Sequence, residues 1–416
     1  SGEFPYNLTF QRFYSSSNQY SQTTLGRGWS HGFDMSAKVG SEGLLAMGEQ
    51  FAVQGAATIA ELFICTDLLA DTTRPVAKLV TASLADAWWV DQLVNNAVVV
   101  SLPQDRSVFV KQPNGTYTAP ARNPSTLTLV AGLYTVTTPQ KVKYNFNASG
   151  QISTIVYPSG VTITFAYTSG LLTSVTNGMG RTLTLNYTSG KLTSVSDGTG
   201  RSVGYTIDGS SNLTIFTDAN GKNTTYSYDN PGRMTAYFLP AYPATAFATN
   251  VYDSLSRVKT QSNARAQVWN YYFAGARSEC DDPLGNQQIA YYNNLGAATR
   301  AIDALGQETK NVYDGLNRLI QTIVPEGNQV LLTYDSNNCM LTRTQVPKSG
   351  SGLSNIVETF TYDPLWAKVQ TYQDGRLNTT TFTYDAVLGN MLTIQRPVVG
   401  GFTPTVTKTW NARGQM

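Results

Sequence analysis

An aromatic residue followed by a turn recurs every 20 or 21 residues through most of this 416-residue chain, and that period limits its fold more than any other feature. Tyr167-Thr-Ser-Gly170-Leu-Leu-Thr-Ser-Val175 is followed 20 residues on by Tyr187-Thr-Ser-Gly190-Lys-Leu-Thr-Ser-Val195. The same anchor position holds Phe146, Tyr228, Tyr252, Tyr272, Tyr292, Tyr313, Tyr334, Tyr362, Tyr384 and Trp410. The longer steps, 228 to 252, 334 to 362 and 384 to 410, hold insertions such as Lys348-Ser-Gly-Ser-Gly352. A second signature lies between the anchors, as in Asn177-Gly-Met-Gly180, Asp197-Gly-Thr-Gly200, Asp218-Ala-Asn-Gly221, Asp282-Pro-Leu-Gly285 and Asp303-Ala-Leu-Gly306. Each reads as a turn, because an Asp or Asn side chain hydrogen-bonds the backbone that follows it and Gly accepts φ > 0.

A turn about every ten residues leaves about six residues of strand between turns, so each period is an antiparallel hairpin. On the strand entering an anchor, Leu183, Leu185 and Tyr187 share one face, and Thr182, Thr184 and Asn186 the other. On the strand leaving it, Leu172 and Val175 are three apart, which requires a bulge or a two-sided strand. A parallel β-helix fits poorly with a sharp turn every ten residues, and a propeller would show a signature at about 40 residues. A continuous, curling antiparallel sheet remains. About 13 hairpins give about 26 strands and ~125 Å of sheet at ~4.8 Å per strand. Closed once, that ribbon would be ~40 Å across, too wide for side chains to fill, since about eight strands already fill a barrel. The expected fold is therefore all-β: a spiral or curled antiparallel sheet of β-hairpins forming a hollow shell.

These residues resemble the Rhs/YD-repeat family, whose members include bacterial polymorphic-toxin shells, the B and C components of insecticidal Tc toxins, and the teneurin YD shell. The Tyr-Asp-x-x-Gly-Arg pattern, as in Tyr228-Asp-Asn-Pro-Gly-Arg233 and Tyr313-Asp-Gly-Leu-Asn-Arg318, carries little information per copy; a dozen copies make it specific. The opening segment adds a second match: Leu8-Thr-Phe-Gln-Arg12-Phe-Tyr14, then Leu25-Gly26-Arg-Gly28-Trp29-Ser-His31-Gly-Phe33. It is similar to the segment that opens the repeats in bacterial Rhs proteins, so Arg12, Tyr14, Gly26, Gly28, Trp29 and His31 are its motif residues. The resemblance implies a cocoon around the toxic C-terminal part of the same polypeptide. The family's C-terminal Asp-Pro-x-Gly self-cleavage region is absent; Asp282-Pro-Leu-Gly285 is a mid-array turn.

Three segments follow: an opening segment at 1–55, atypical repeats at 56–140, and the hairpin array at 141–416. Within 56–98, Thr58-Ile-Ala-Glu-Leu-Phe-Ile-Cys65 and the Ala-rich stretch from Val76 to Trp89 fit one or two short helices interrupted by β-branched residues. The first residues, Ser1-Gly2-Glu3-Phe4, read as a cloning scar, and the whole as an excised fragment of a longer protein.

Composition narrows the function classes. Lys+Arg 29 against Asp+Glu 27 offers no cationic cluster for nucleic acid. No run of 18 apolar residues predicts a membrane span, and no signal peptide opens this fragment. Three scattered cysteines, Cys65, Cys280 and Cys339, make no disulfide framework and read as small buried thiols. With a single histidine, His31, they also give no ligand pair at zinc spacing. A Ser-His-Asp triad would have to use His31 with Ser30 or a distant serine, but no nucleophile-elbow context surrounds it, and it reads as a turn imidazole packed near Trp29. The Asp-x-x-Gly turns lack the Asp-x-Asp-x-Asp-Gly calcium pattern. Paired carboxylates for glycoside hydrolysis would draw on the few Glu residues of the array, mainly Glu308, Glu326 and Glu358. The anchor tyrosines would stack on sugars if exposed; the plainer reading is that each packs on the tyrosine of the next repeat. The sequons at Asn186 and Asn378 follow from a Thr-rich composition.

The expected function is a non-catalytic shell fragment, with no cofactor and no metal, that encloses or scaffolds an effector domain not present in this chain. The expected partners are that effector and secretion-system or surface components, and the expected location is outside a bacterial cell or on its surface. An adhesive or glycan-binding surface module is the alternative, and a glycosidase on a β scaffold a lesser one.

Overall fold

The structure is a computed structural model that describes residues 7–41, 60, 63–64, 67, 73, 76–103, 105–112, 114–229, 232–411 and 416. Contacts group the chain into two compact units, one of residues 1–32 with 157–416 and one of residues 33–156. The sequence-based boundary at 140/141 falls inside the second unit, and the one at 55/56 lies outside the described residues.

In the larger unit the strands from Thr162–Thr168 to Thr405–Thr407 form an antiparallel ladder of 23 strands, each paired with its neighbours in sequence. Apolar residues meet in register across it: Phe165 faces Val175, Leu185 faces Val195, Tyr205 faces Phe216 and Tyr226 faces Tyr237. The three-residue spacing on the leaving strands resolves into bulges. Register shifts fall at Ala166/Tyr167, Asn186/Tyr187, Ser227/Tyr228, Val312/Tyr313, Thr333/Tyr334 and Thr383/Tyr384, immediately before the anchor each time. The extra residue on the leaving strand brings Leu172 rather than Thr173 opposite Tyr167, so both Leu172 and Val175 face the buried side.

The turns use the chemistry expected of Asp and Gly. One carboxylate oxygen of Asp253 accepts the N–H groups of Leu255 and Arg257, both at 2.9 Å, and Asp303 and Asp314 repeat the pattern. Where Arg follows four residues after Asp, the second oxygen takes the guanidinium, as in Asp229–Arg233 (2.8 Å), Asp253–Arg257 (2.7 Å) and Asp314–Arg318 (2.7 Å). The third position after Asp needs positive φ, supplied by Gly221, Gly285, Gly296 and Gly306 and by Ser256, Asn317 and Asn338 elsewhere.

The second unit has a four-stranded sheet of Ser36–Gly40, Ala97–Leu102, Asp105–Lys111 and Tyr117–Thr118. Antiparallel pairs also join Thr126–Val130, Leu133–Thr137, Lys143–Phe146 and Ile152–Val156 in order. Phe146, the first anchor, is 1 % exposed and follows a bulge at Asn145/Phe146. Val98, Val100, Phe109 and Ile152 are buried with it. Helix α1 (Val76–Leu93) spans 18 residues, longer than the short helices read from sequence. Most of 58–65 lies outside the described residues. Among the described residues no helix is long and apolar enough to cross a membrane.

Candidate functional site

Two arrangements set by the repeat stand out: a hydroxyl-to-backbone ladder along the array, and the docking of the opening segment onto part of it.

The ladder begins at the bulge. In the bulged hairpins the residue opposite the anchor, such as Leu319 opposite Tyr313, offers its carbonyl to the next repeat. The hydroxyl of the following anchor donates to that carbonyl. Tyr187 reaches Leu172 at 2.8 Å, Tyr228 reaches Leu213 at 2.7 Å, Tyr252 reaches Met234 at 2.6 Å and Tyr313 reaches Ala298 at 3.0 Å. Tyr334, Tyr362 and Tyr384 reach Leu319, Met340 and Val369 at 2.6 to 2.8 Å. Trp410 does the same with its indole N–H, at 2.7 Å from the Met391 carbonyl. A cation of one repeat also lies over the ring of the next anchor: Arg233 over Tyr252 at 5.3 Å, Arg318 over Tyr334 at 5.1 Å and Lys368 over Tyr384 at 5.6 Å. The recurring link is thus ring to backbone and cation to ring.

One anchor is displaced. The hairpin from Val268–Ala274 to Arg277–Asp281 has no bulge, and Tyr271 faces Cys280, which faces Gln288 on the strand carrying Tyr292. Alternation therefore puts Tyr271 and Phe273 on the anchor face and Tyr272, 48 % exposed, on the other. Phe273 takes the cation of the preceding repeat, Arg257, at 4.8 Å. With no bulge before it, Tyr292 contacts the Ser278 hydroxyl at 3.0 Å instead of a carbonyl.

The opening segment covers the anchor face where it lies on the repeats around 191–236, and of the six motif residues Arg12, Tyr14, Gly26 and Trp29 meet the array directly. Arg12 donates to the Tyr226 hydroxyl at 3.1 Å and lies over the Phe216 ring at 3.5 Å. The Tyr14 hydroxyl donates to the Gly232 carbonyl at 2.8 Å and accepts the Met234 N–H at 2.7 Å. The Trp29 indole donates to the Tyr228 hydroxyl at 2.9 Å. Gly26, at φ +107°, lies so close to the array that a Cβ would stand 2.8 Å from the Ser211 carbonyl oxygen. A Cβ on Gly28 would stand 2.9 Å from the Tyr14 ring. His31 is buried in the short strand Trp29–His31, not in a turn, with its ring 5.0 Å from Phe10. Burial pushes the Tyr205 hydroxyl up to about 12 and raises Tyr228 further, so these phenols stay neutral donors and acceptors.

The other candidate groups are dispersed. Glu308 pairs with Arg300 and Lys310; Glu358 binds Arg343 at 2.9 Å and accepts the Tyr372 hydroxyl at 2.8 Å. Cys280 and Cys339 are half-buried rather than buried, and burial raises both thiols. Cys65 lies outside the described residues.

Residues 2–53 match the family model described as a domain of unknown function, DUF6531. No curated protein matches. Among solved structures, the chain is similar to TcdB2-TccC3 at 12 % identity and TM-score 0.43, covering 79 % of this chain and 24 % of that one. It is similar to the Photorhabdus luminescens Tc holotoxin pore at 12 % identity and TM-score 0.42, covering 76 % and 22 %. A porin-like protein from Bacteroides uniformis matches at 10 % identity and TM-score 0.13, covering 68 % and 92 %. The chain spans about a fifth to a quarter of the length of the Tc-toxin chains it matches.

Proposed function

We propose that this chain is a non-catalytic part of a secreted or surface-exposed bacterial Rhs/YD shell, and that the shell encloses or scaffolds an effector carried on the same polypeptide. One observation carries the reading: 23 strands follow one another in an unbroken antiparallel ladder, with most hairpins fastened to the one before by an anchor. Such a ladder builds wall area without converging polar groups on a point, which suits containment. Seven anchor hydroxyls donate to backbone carbonyls within the array, which supports wall-building over glycan stacking.

Limited proteolysis tests the reading. In a longer natural polypeptide that carries these repeats and the region after them, that region is expected to resist protease until the array is unfolded by denaturant. Digestion of the region at the same rate with and without the array would overturn the proposal.

A further inference from the structure

Two residues before an anchor, a cross-strand pair meets on the anchor face. It is Phe165–Val175 before Tyr167, Leu185–Val195 before Tyr187, Phe360–Tyr372 before Tyr362 and Phe382–Ile394 before Tyr384. Before Tyr292 the pair is Ala290–Ala301. Ser278 faces Ala290 on one side and Thr309 faces Ala301 on the other, so four small side chains follow one another across the sheet. Phe273 faces Ser278 at the end of that row, and Tyr271 stands beside it on the same strand and face. The result is a trough of 520 Å³, within the span of about 300–1,000 Å³ usual for small-molecule sites. We infer that it binds a neutral pyranose ring of a glycan, an activity beyond the wall-building proposed above.

The lining selects that ligand. Ala290, Ala301 and the rings of Tyr271 and Phe273 form an apolar bed. The slightly positive C–H groups of a sugar ring settle against the negative face of an aromatic ring. Arg257 lies over one face of Phe273, and the residue is still 40 % exposed. Around the bed stand Gln288, Gln307 and Thr309, whose side chains make no hydrogen bond among the described residues.

Asp303 adds an unmatched acceptor. Its Oδ1 holds the N–H groups of Leu305 and Gln307, both at 2.9 Å, and its Oδ2 has no partner among the described residues. In two other turns of this kind the residue four later takes that oxygen: Asn286 donates to Asp282 at 2.7 Å and Asn378 to Asp374 at 3.1 Å. Gln307 lines the trough instead. Two amides, a hydroxyl and a carboxylate oxygen match the ring of hydroxyls on a sugar, which both donate and accept. An apolar side chain laid in the trough would leave all four unmatched.

Charge narrows the class. Among the described residues the lining holds no Lys or Arg; Glu279 is paired with Arg277, and Asp303 has no cationic partner. A uronic acid or a phosphorylated sugar would meet the Asp303 carboxylate with nothing to offset the repulsion.

Saturation-transfer NMR on the full chain tests this, with maltotriose, cellotriose and chitotriose at millimolar concentration and trigalacturonic acid as the acidic counterpart. Transfer to at least one neutral trisaccharide is expected, and none to trigalacturonic acid. Ala290→Leu with Ala301→Val rebuilds the pair that Leu185 and Val195 make, so the ladder accepts it. It fills the trough and should weaken binding roughly tenfold or more. Should that variant fail to fold, Gln288→Ala with Gln307→Ala, at two exposed positions, gives a second reading and should weaken binding to a similar degree. Tyr272→Phe, on the other face, should leave it unchanged. Absence of transfer to all three neutral trisaccharides would overturn the inference. So would equal binding of trigalacturonic acid, binding that survives the filled trough or the loss of both amides, or a loss that follows Tyr272→Phe.

Discussion

The hydroxyl of Tyr334 donates to the carbonyl oxygen of Leu319 at 2.8 Å. Leu319 is the residue that faces the preceding anchor, Tyr313, across that anchor's bulge. The bulge opens one hydrogen-bonding position in the sheet and the next repeat's tyrosine fills it, so the bulge and the anchor work as a pair. Tyr334→Phe should therefore cost about 1–2 kcal/mol, because it strands a partly buried carbonyl. Tyr272→Phe, on the opposite face, should stay within about 0.5 kcal/mol of wild type. Urea midpoints of the two variants check this, and equal shifts would contradict the pairing.

Gly26→Ala should release the opening segment from the array. The new Cβ would meet the Ser211 carbonyl oxygen at 2.8 Å on a backbone at φ +107°. A cost above about 2 kcal/mol is expected from strain and overlap together. Gly285→Ala, at φ +83° with no atom near its Cβ, should cost only about 1 kcal/mol. The readout is protease cleavage within residues 7–32, faster in the first variant and unchanged in the second.

Leu377 holds φ 66° on a fully solvated turn, a conformation that disfavours a branched side chain. Leu377→Gly should raise stability by about 0.5–1 kcal/mol, the relief of strain outweighing the added chain entropy. A lower thermal midpoint for the variant would count against this account of the turn.

The phenols under the opening segment should make the fold sensitive to alkali. Burial raises Tyr205, Tyr228 and Tyr252 above their ordinary value of 10.0. The folded state therefore keeps protons that the unfolded state releases. This stability is fully present below pH 10 and is lost as pH rises from there through the folded values, near 12 for Tyr205. Thermal midpoints should stay flat with respect to these groups up to about pH 9.5 and then fall. A Tyr228→Phe variant should show a shallower fall from a lower starting point.

The hairpin period, the two kinds of turn and the alternation of the entering strand are local, and Leu183, Leu185 and Tyr187 reveal them directly. The leaving strand left two options open, and only its partner's register identifies the bulge at Ala166/Tyr167. Tyr272 was misplaced for the same reason. Tyr271, Tyr272 and Phe273 are all aromatic, and the missing bulge that selects Phe273 is a property of two strands together. The motif Gly26-Arg-Gly28-Trp29 could be found by resemblance, but not its role. Its partners lie about 180 to 220 residues away, and no pattern within the segment points to Ser211 or Met234.

The docked opening segment also bears on how the chain is made. Arg12 must meet Tyr226, which is 214 residues later in the sequence. At ribosomal speeds of about 5–20 residues per second, the opening segment emerges roughly 10–40 seconds before its binding surface exists. During that interval Leu25, Trp29 and the aromatic side chains around them have no native cover. The repeats can zip up pair by pair as they appear, but the opening segment folds late, and a nascent chain of this kind would present those aromatic side chains to chaperones before their cover exists.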